Sequence, residues 1–179
     1  MEENSNKLTD INELGEFGLI KLISKNIKLK NKSSVLGIGD DSAIIDNSKL
    51  QTIVSTDMLV EGVHFDLSYF PLKHLGYKSI ISSISDIYSM NAQCNQVTVS
   101  IAISNRFKVE SIQDLYSGIN LACKNYGVDL IGGDTTSSNK GIVISITAIG
   151  SAKKEKIVKR SGAKNNDLIV LTGSLGKAY

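Results

Sequence analysis

Gln96-Val97-Thr98-Val99-Ser100-Ile101-Ala102-Ile103-Ser104 alternates without a break. Val97, Val99, Ile101 and Ile103 fall on one face. Thr98, Ser100, Ala102 and Ser104 fall on the other, the period-two signature of a half-buried strand. The second face is small and weakly polar, so it can also meet a partner subunit. Helical spacing flanks this strand on both sides. Upstream, Pro71 is predicted as the first residue of a long helix, where its missing N–H costs nothing. Leu72, Leu75 or Gly76, Ile80, Ile84 and Ile87 carry that helix to about Asn91. Ser79, Ser82, Ser83, Ser85 and Ser89 let it approach another backbone closely, but weaken it as an isolated helix. Downstream, Val109 to Tyr126 repeats Ile112, Leu115, Ile119, Ala122 and Tyr126 on one face, and Gly127 is a natural residue to end it.

Further out, a first helix is expected from Asp10, with Glu13 as its capping-box partner. Ile11, Leu14, Phe17, Ile20 and either Ile23 or Ser24 form its apolar face. The Lys-rich stretch from Lys28 to Lys32 reads as a solvated loop. Ser42 to Asp46 and Thr52 to Asp57 are predicted to pair as a hairpin across Asn47-Ser48-Lys49, which would bring Asp41 and Asp57 to one end. Val128 to Ile131 reads as a short strand feeding the turn-like Gly132-Gly133-Asp134. Gly141 to Ala152 reads as another strand, and Asp167 to Gly173 as a last one. The fold class is therefore α+β: a mixed, mostly antiparallel sheet with its helices on one face.

Composition bounds the function. The chain has 179 residues, 41% apolar and 21% charged, with a net charge of +2. That balance gives no strong attraction to nucleic acid or to a membrane surface. Cys94 and Cys123 lie far apart, which is neither a metal knuckle nor a disulfide framework. The polar, acidic start lacks the features of a signal peptide, and no run reaches membrane-span length. A cytoplasmic protein is expected. Residues 1–8 read as disordered. The strand at Asp167 runs into what reads as the first turn of a helix, so 166–179 are expected to begin a further, truncated domain after a domain at 9–165.

Four acids stand in similar settings. Asp41 follows Gly37-Ile38-Gly39-Asp40, Asp57 follows Ser55-Thr56, Asp86 follows Ser85, and Asp134 follows Gly132-Gly133. Taken singly, each has an ordinary structural explanation as a turn or surface acid. Brought together, they would repel one another strongly, and divalent cations relieve that repulsion. Mg²⁺ takes oxygen ligands, keeps several waters and bridges carboxylates to phosphates. The chain has neither a P-loop nor protein-kinase motifs, so a nucleotide would be held through metal-bound phosphates. Arg160, beside Ser161-Gly162, is either a direct phosphate contact or a surface charge. His64, between Val63 and Phe65, is either a half-buried side chain or a ligand-binding one.

Gly37-Ile38-Gly39-Asp40-Asp41, Ser55-Thr56-Asp57-Met58-Leu59-Val60-Glu61-Gly62-Val63-His64-Phe65, Ser85-Asp86, Leu130-Ile131-Gly132-Gly133-Asp134-Thr135-Thr136, Arg160-Ser161-Gly162-Ala163 and Leu171-Thr172-Gly173 occur in order. The set resembles the thiamine-monophosphate kinase family, in the aminoimidazole-ribonucleotide-synthetase-like superfamily, from about Gly15 to the last residue. The resemblance implies the N-terminal domain of that fold, binding ATP and Mg²⁺ and forming a homodimer through strands of a shared barrel. It implies phosphorylation of thiamine monophosphate to thiamine diphosphate at the expense of ATP, with no side chain needed as a general base. Asp41, Ser55, Thr56, Asp57, Asp86 and Asp134 would be ligands of several Mg²⁺ ions, and Asp40 would be either a ligand or a shaper of the turn. His64 would meet thiamine monophosphate, and Gly133, Asp134 and Arg160 the nucleotide; Tyr116 is a looser match to a nucleotide contact. The family carries a second domain that completes the site, so the resemblance also implies that this stretch alone is inactive or nearly so. The competing readings are another ATP-dependent enzyme of the superfamily and a non-catalytic nucleotide-binding dimerisation module.

Overall fold

The computed structural model describes residues 9–38, 44–159 and 161–175. The elements are α1 (Ile11–Ser24), β1 (Ser34–Leu36), β2 (Ile44–Ile45), β3 (Gln51–Val60), α2 (Leu72–Ser89), β4 (Gln93–Ile103), α3 (Val109–Tyr126), β5 (Asp129–Ser137) and β6 (Ile142–Ala152). A 3₁₀ turn at Lys154–Lys156 follows. β3, β6, β4 and β5 form one sheet in that order, and β1 and β2 form a separate pair. β6 runs antiparallel to β3 and to β4, whereas β4 and β5 are parallel. Parallel neighbours need a crossover, and α3 supplies it.

The alternation that marked β4 in the sequence builds the core. Val97, Val99, Ile101 and Ile103 are buried, as are Ile142, Ile144 and Ile146 of β6. Register sets Val99 beside Ile146 and Ile101 beside Ile144. Leu75, Ile80, Ile84 and Ile87 of α2 and Ile112, Leu115 and Ile119 of α3 cover this face. Each fully buried aliphatic side chain contributes about 1.5–3 kcal/mol relative to exposure, so this layer holds the helices to the sheet. Among the described residues no helix covers the other face, where Val54 and Met58 are 61% and 58% exposed. The α+β reading, with a mixed sheet and helices on one face, holds.

α2 and α3 pack backbone against backbone. A Cβ on Gly76 would lie 2.0 Å from the Leu115 carbonyl oxygen, and one on Gly118 would lie 1.8 Å from that of Lys73. Neither backbone atom can retreat without separating the helices. The serine-rich face contributes Ser79 and Ser83, both buried.

Several expectations need correction. α1 buries the predicted stripe only at its ends: Ile11 and Ile23 pack against the core, but Phe17 is 85% exposed and Leu19 takes the buried position at 1%. Gly15 has φ +66° and breaks the helical phase there. The capping box does not form. Glu13 N–H donates to the Asp10 carbonyl at 3.0 Å, and the Asp10 carboxylate pairs with Lys108 instead. The predicted hairpin is absent: β2 pairs with β1, and β3 finds β6, a strand more than eighty residues away in sequence. Pro71 caps α2 from outside rather than beginning it. Asp167 to Gly173 forms no strand; Leu168, Ile169 and Val170 are 90%, 101% and 78% exposed, and no sheet edge takes them up among the described residues. Residues 1–8 lie outside the described residues.

Two outcomes follow from this packing. Gly118→Ala is expected to destabilise the protein by about 2 kcal/mol or more in denaturant titration, since overpacking against backbone has no side chain to yield. Cys94 and Cys123 are free and buried, and burial pushes their thiols up from 9.0 to about 11 and about 12. Raised thiol values stabilise the fold fully below the unfolded value of about 8.5–9 and lose that contribution as pH climbs through 11 to 12. Unfolding free energy should therefore fall above about pH 9, less steeply in Cys123→Ala. Both thiols should resist a thiol reagent at pH 8 until the protein unfolds; a fast native-state reaction would contradict their burial.

Candidate active site

Ser55, Thr56 and Asp57 lie in mid-strand on β3, so they alternate between faces. Asp57 pairs in register with buried Ile146, which puts Asp57 and Ser55 on the helix-covered side. Here Ser55 Oγ donates to Asp86 Oδ2 of α2 at 2.8 Å. Thr56 faces the uncovered side, where its hydroxyl donates to the Ile146 carbonyl at 3.1 Å and lies 3.3 Å from Thr147 Oγ1. A cleft of about 660 Å³ opens beside this cluster, lined by Ile53, Ser55, Asp86, Met90 and Lys159. Lys159 is held there because Val158 N–H donates to the Met90 carbonyl at 3.0 Å and Asn91 Nδ2 donates to the Lys156 carbonyl at 2.9 Å. Its neighbour Arg160 lies outside the described residues, as do Asp40 and Asp41.

Gly133 and Asp134 lie on the far edge of the sheet. The sequence reading ended the strand at Ile131, but β5 continues through Gly132-Gly133-Asp134-Thr135-Thr136 to Ser137. A Cβ on Gly133 would lie 1.9 Å from the Val99 carbonyl oxygen, so glycine here is what lets the ladder close. A register shift after Val97 pairs Thr98 with Gly132 and Ser100 with Asp134. Asp134 therefore shares a row with Ser100 and Ser145 on the uncovered face. A small cavity of about 60 Å³ is lined by Ile38, Tyr116, Gly133 and Asp134. Tyr116 is buried, and burial holds its hydroxyl above the ordinary tyrosine range, so it remains a hydrogen-bond donor.

The structure thus forms two half-sites rather than one. Ser55, Asp57 and Asp86 belong to the β3 edge; Tyr116, Gly133 and Asp134 belong to the β5 edge. Three inter-strand steps separate the edges, about 14 Å. Among the described residues no three His, Cys, Asp or Glu side chains converge as a metal cage. A further cavity of about 410 Å³, lined by Asp10, Ser104, Phe107 and Thr135, lies at the end of the sheet and contains none of the predicted residues.

His64 sits on the exposed turn after β3. Its Nδ1 accepts the Val60 N–H at 3.0 Å, so the neutral ring carries its hydrogen on Nε2. Glu61 anchors this turn, a role that sequence reading did not assign. Its Oε2 accepts the Ile142 N–H at 3.0 Å, its Oε1 pairs with Arg106, and its backbone N–H donates to the Ile142 carbonyl at 3.2 Å. The available signal was an acid directly before Gly62 at a strand end, but its partner 81 residues on could not be read.

The sequence pattern of the AIR synthase related protein N-terminal domain matches residues 39–152. The chain belongs to this family. This AIR synthase related domain is 37% identical over 166 residues to the thiamine-monophosphate kinase of Bacillus subtilis (strain 168), across 92% of its own length and 51% of the relative's. Of solved structures, the thiamine-monophosphate kinase of Stenotrophomonas maltophilia K279a superposes with a TM-score of 0.68 at 27% identity, covering 84% of this chain and 46% of that one. A structure described as AaThiL complexed with AMPPCP and TMP superposes with a TM-score of 0.61 at 33% identity, covering 89% and 48%. The domain spans about half the length of the relatives it matches.

Glu61→Ala removes the acceptor that shields the Ile142 amide. Hydrogen exchange at Ile142 should accelerate by about tenfold, the equivalent of one lost hydrogen bond of about 1.4 kcal/mol. Unchanged protection would show that β6 holds the turn without Glu61.

Proposed function

We propose that the protein transfers the terminal phosphoryl group of ATP to a phosphate oxygen of thiamine monophosphate, forming thiamine diphosphate and ADP. The observation that carries this reading is the Ser55–Asp86 contact, which brings two separate acid motifs to one cleft with Lys159 on its rim. The relatives named thiamine-monophosphate kinase and the AMPPCP and TMP of the solved neighbour support the choice of substrates.

Asp41, Ser55, Thr56, Asp57, Asp86 and Asp134 would hold Mg²⁺, with Asp40 as a further ligand or as a former of the turn. The donor set fits: every member offers oxygen, the preference of a hard cation. Mg²⁺ keeps waters and phosphate oxygens in its shell, so a partial set of protein oxygens suffices. Bound Mg²⁺ supplies neutralisation of charge on the phosphoryl group in flight. Ser55 fixes the orientation of the Asp86 carboxylate, and His64 offers Nε2–H to the phosphate of thiamine monophosphate. Gly133, Asp134, Tyr116 and Arg160 take the nucleotide. No general base is assigned, because a phosphate oxygen is already a competent nucleophile.

On this reading, residues 9–165 form the nucleotide- and metal-binding domain and 166–179 begin a second one, with exposed Leu168 to Leu171 as apolar surface for it. The uncovered sheet face, with Val54 and Met58 exposed, is the homodimer contact. The cytoplasm, where Cys94 and Cys123 stay reduced, is the expected compartment.

The test is thiamine diphosphate formation from ATP and thiamine monophosphate by the longest natural protein containing this segment. Product should form, and Asp57→Asn should lower kcat on the order of 100- to 1,000-fold. The 179 residues alone should give little or no product. Folded protein that makes no thiamine diphosphate would reject the acceptor, and full turnover by the short chain would reject the division of the site.

A further inference from the structure

Asp129 opens β5 and is 1% exposed. Its carboxylate takes two donors from the Lys-rich loop and one from the first residue of β1. Oδ1 accepts the Lys30 N–H at 2.7 Å, and Oδ2 accepts the Asn31 N–H at 2.8 Å and the Ser34 hydroxyl at 2.6 Å. A buried carboxylate costs several kcal/mol in lost hydration, and such donors are what make it tolerable. Gln96 of β4 extends the clamp, its Nε2 donating to Ser33 Oγ at 2.7 Å and to Ser34 Oγ at 2.9 Å. The Lys-rich loop is therefore held by its backbone and its serines, while the side chains of Lys28, Lys30 and Lys32 take no part in the clamp.

The clamped loop leads directly into β1 and then into Gly37-Ile38, the approach to the two adjacent acids. A Cβ on Gly37 would lie 3.1 Å from Leu29 Cδ2, so loop and approach are in contact. Ile38 lines the same small cavity as Tyr116, Gly133 and Asp134. One strand thus carries Asp134 and, five residues earlier, holds the loop that leads to Gly37 and Ile38.

We propose that Asp129 is a positioning residue for Mg²⁺ binding: it fixes Gly37 and sets Ile38 in the wall of the cavity that Asp134 and Tyr116 also line. This rests on the metal- and phosphate-binding reading above. Asp129 itself touches neither metal nor nucleotide; it acts through the loop. The geometry demands a carboxylate, because an amide would turn a donor NH₂ toward a backbone N–H or the serine hydroxyl and leave a buried donor unmet.

Calorimetric titration of Mg²⁺ in the presence of AMPPCP tests this, together with hydrogen exchange at the Gly37 and Ile38 amides. Asp129→Asn should weaken Mg²⁺ binding by about tenfold, the effect of leaving a buried donor of the clamp unpaired, and should accelerate exchange at Gly37. Ser34→Ala, which removes one donor of three, should weaken binding by about threefold and serves if Asp129→Asn fails to fold. Ile112→Val, a core change remote from the loop, should lower the melting temperature without altering Mg²⁺ affinity. Asp129→Asn protein that binds Mg²⁺ like wild type would overturn the inference. Equal weakening by Ile112→Val at matched stability would overturn it too, as it would mark a general loss of stability. Wild-type protein that binds no Mg²⁺ with AMPPCP would overturn the underlying reading and this inference with it.

Discussion

Neighbouring side chains of a strand point to opposite sides, and much of this molecule follows from that rule. β4 from Val97 to Ile103 and β6 from Ile142 to Ala148 obey it, with aliphatic side chains under the helices and Thr98, Ser100, Ser145 and Thr147 among those outside. Once those rows are fixed, the edge strands inherit them through the ladder. Ser55 and Asp57 must share the covered side because Asp57 is in register with Ile146, and that side is where α2 brings Asp86. Thr56 must take the other side, however closely it is associated with its neighbours in sequence. The chemistry of a three-residue motif is thus divided between two surfaces before any ligand is considered.

The same rule operates on β5 after an interruption. The register shift beside Val97 leaves Ile131 as the extra residue of the ladder. Without it, Asp134 would pair with Ile101 and lie under the helices. With it, Asp134 pairs with Ser100 and faces outward. A bulge of one residue turns every side chain beyond it to the opposite face. Among the described carboxylates, Asp57 and Asp86 consequently sit at one edge and Asp134 at the other.

Elements set by local pattern were legible in the sequence. α3 begins and ends where its spacing and Gly127 indicate, and α2 differs only in the role of Pro71. The central strands were readable because alternation is a property of consecutive residues. Pairing was not readable. β3 and β2 looked like a hairpin because a turn-forming Asn47-Ser48-Lys49 lies between them, yet β3 gains more by joining β6, whose partners come from the far end of the chain. α1 misled through one glycine: its positive φ moves the buried stripe from Phe17 to Leu19. At the candidate site, the acids stood out in the sequence by their company of glycines and hydroxyls, and the structure brings Ser55 against Asp86. Glu61, which anchors the turn of His64, and Asp129, which clamps the Lys-rich loop, bind partners distant in sequence that no motif reveals.

The close contact of Gly76 and Gly118 has a mechanical consequence. α2 carries Asp86 and α3 carries Tyr116, and the two helices touch through main-chain atoms with no side-chain cushion between them. Close-packed backbone does not compress. The two helices therefore behave as a single plate, and the spacing between the β3-edge cleft and the β5-edge cavity is set like the gap of a fixed gauge. The segments free of that plate are the turn of His64, the approach at Gly37 and the strand-free stretch after Lys156.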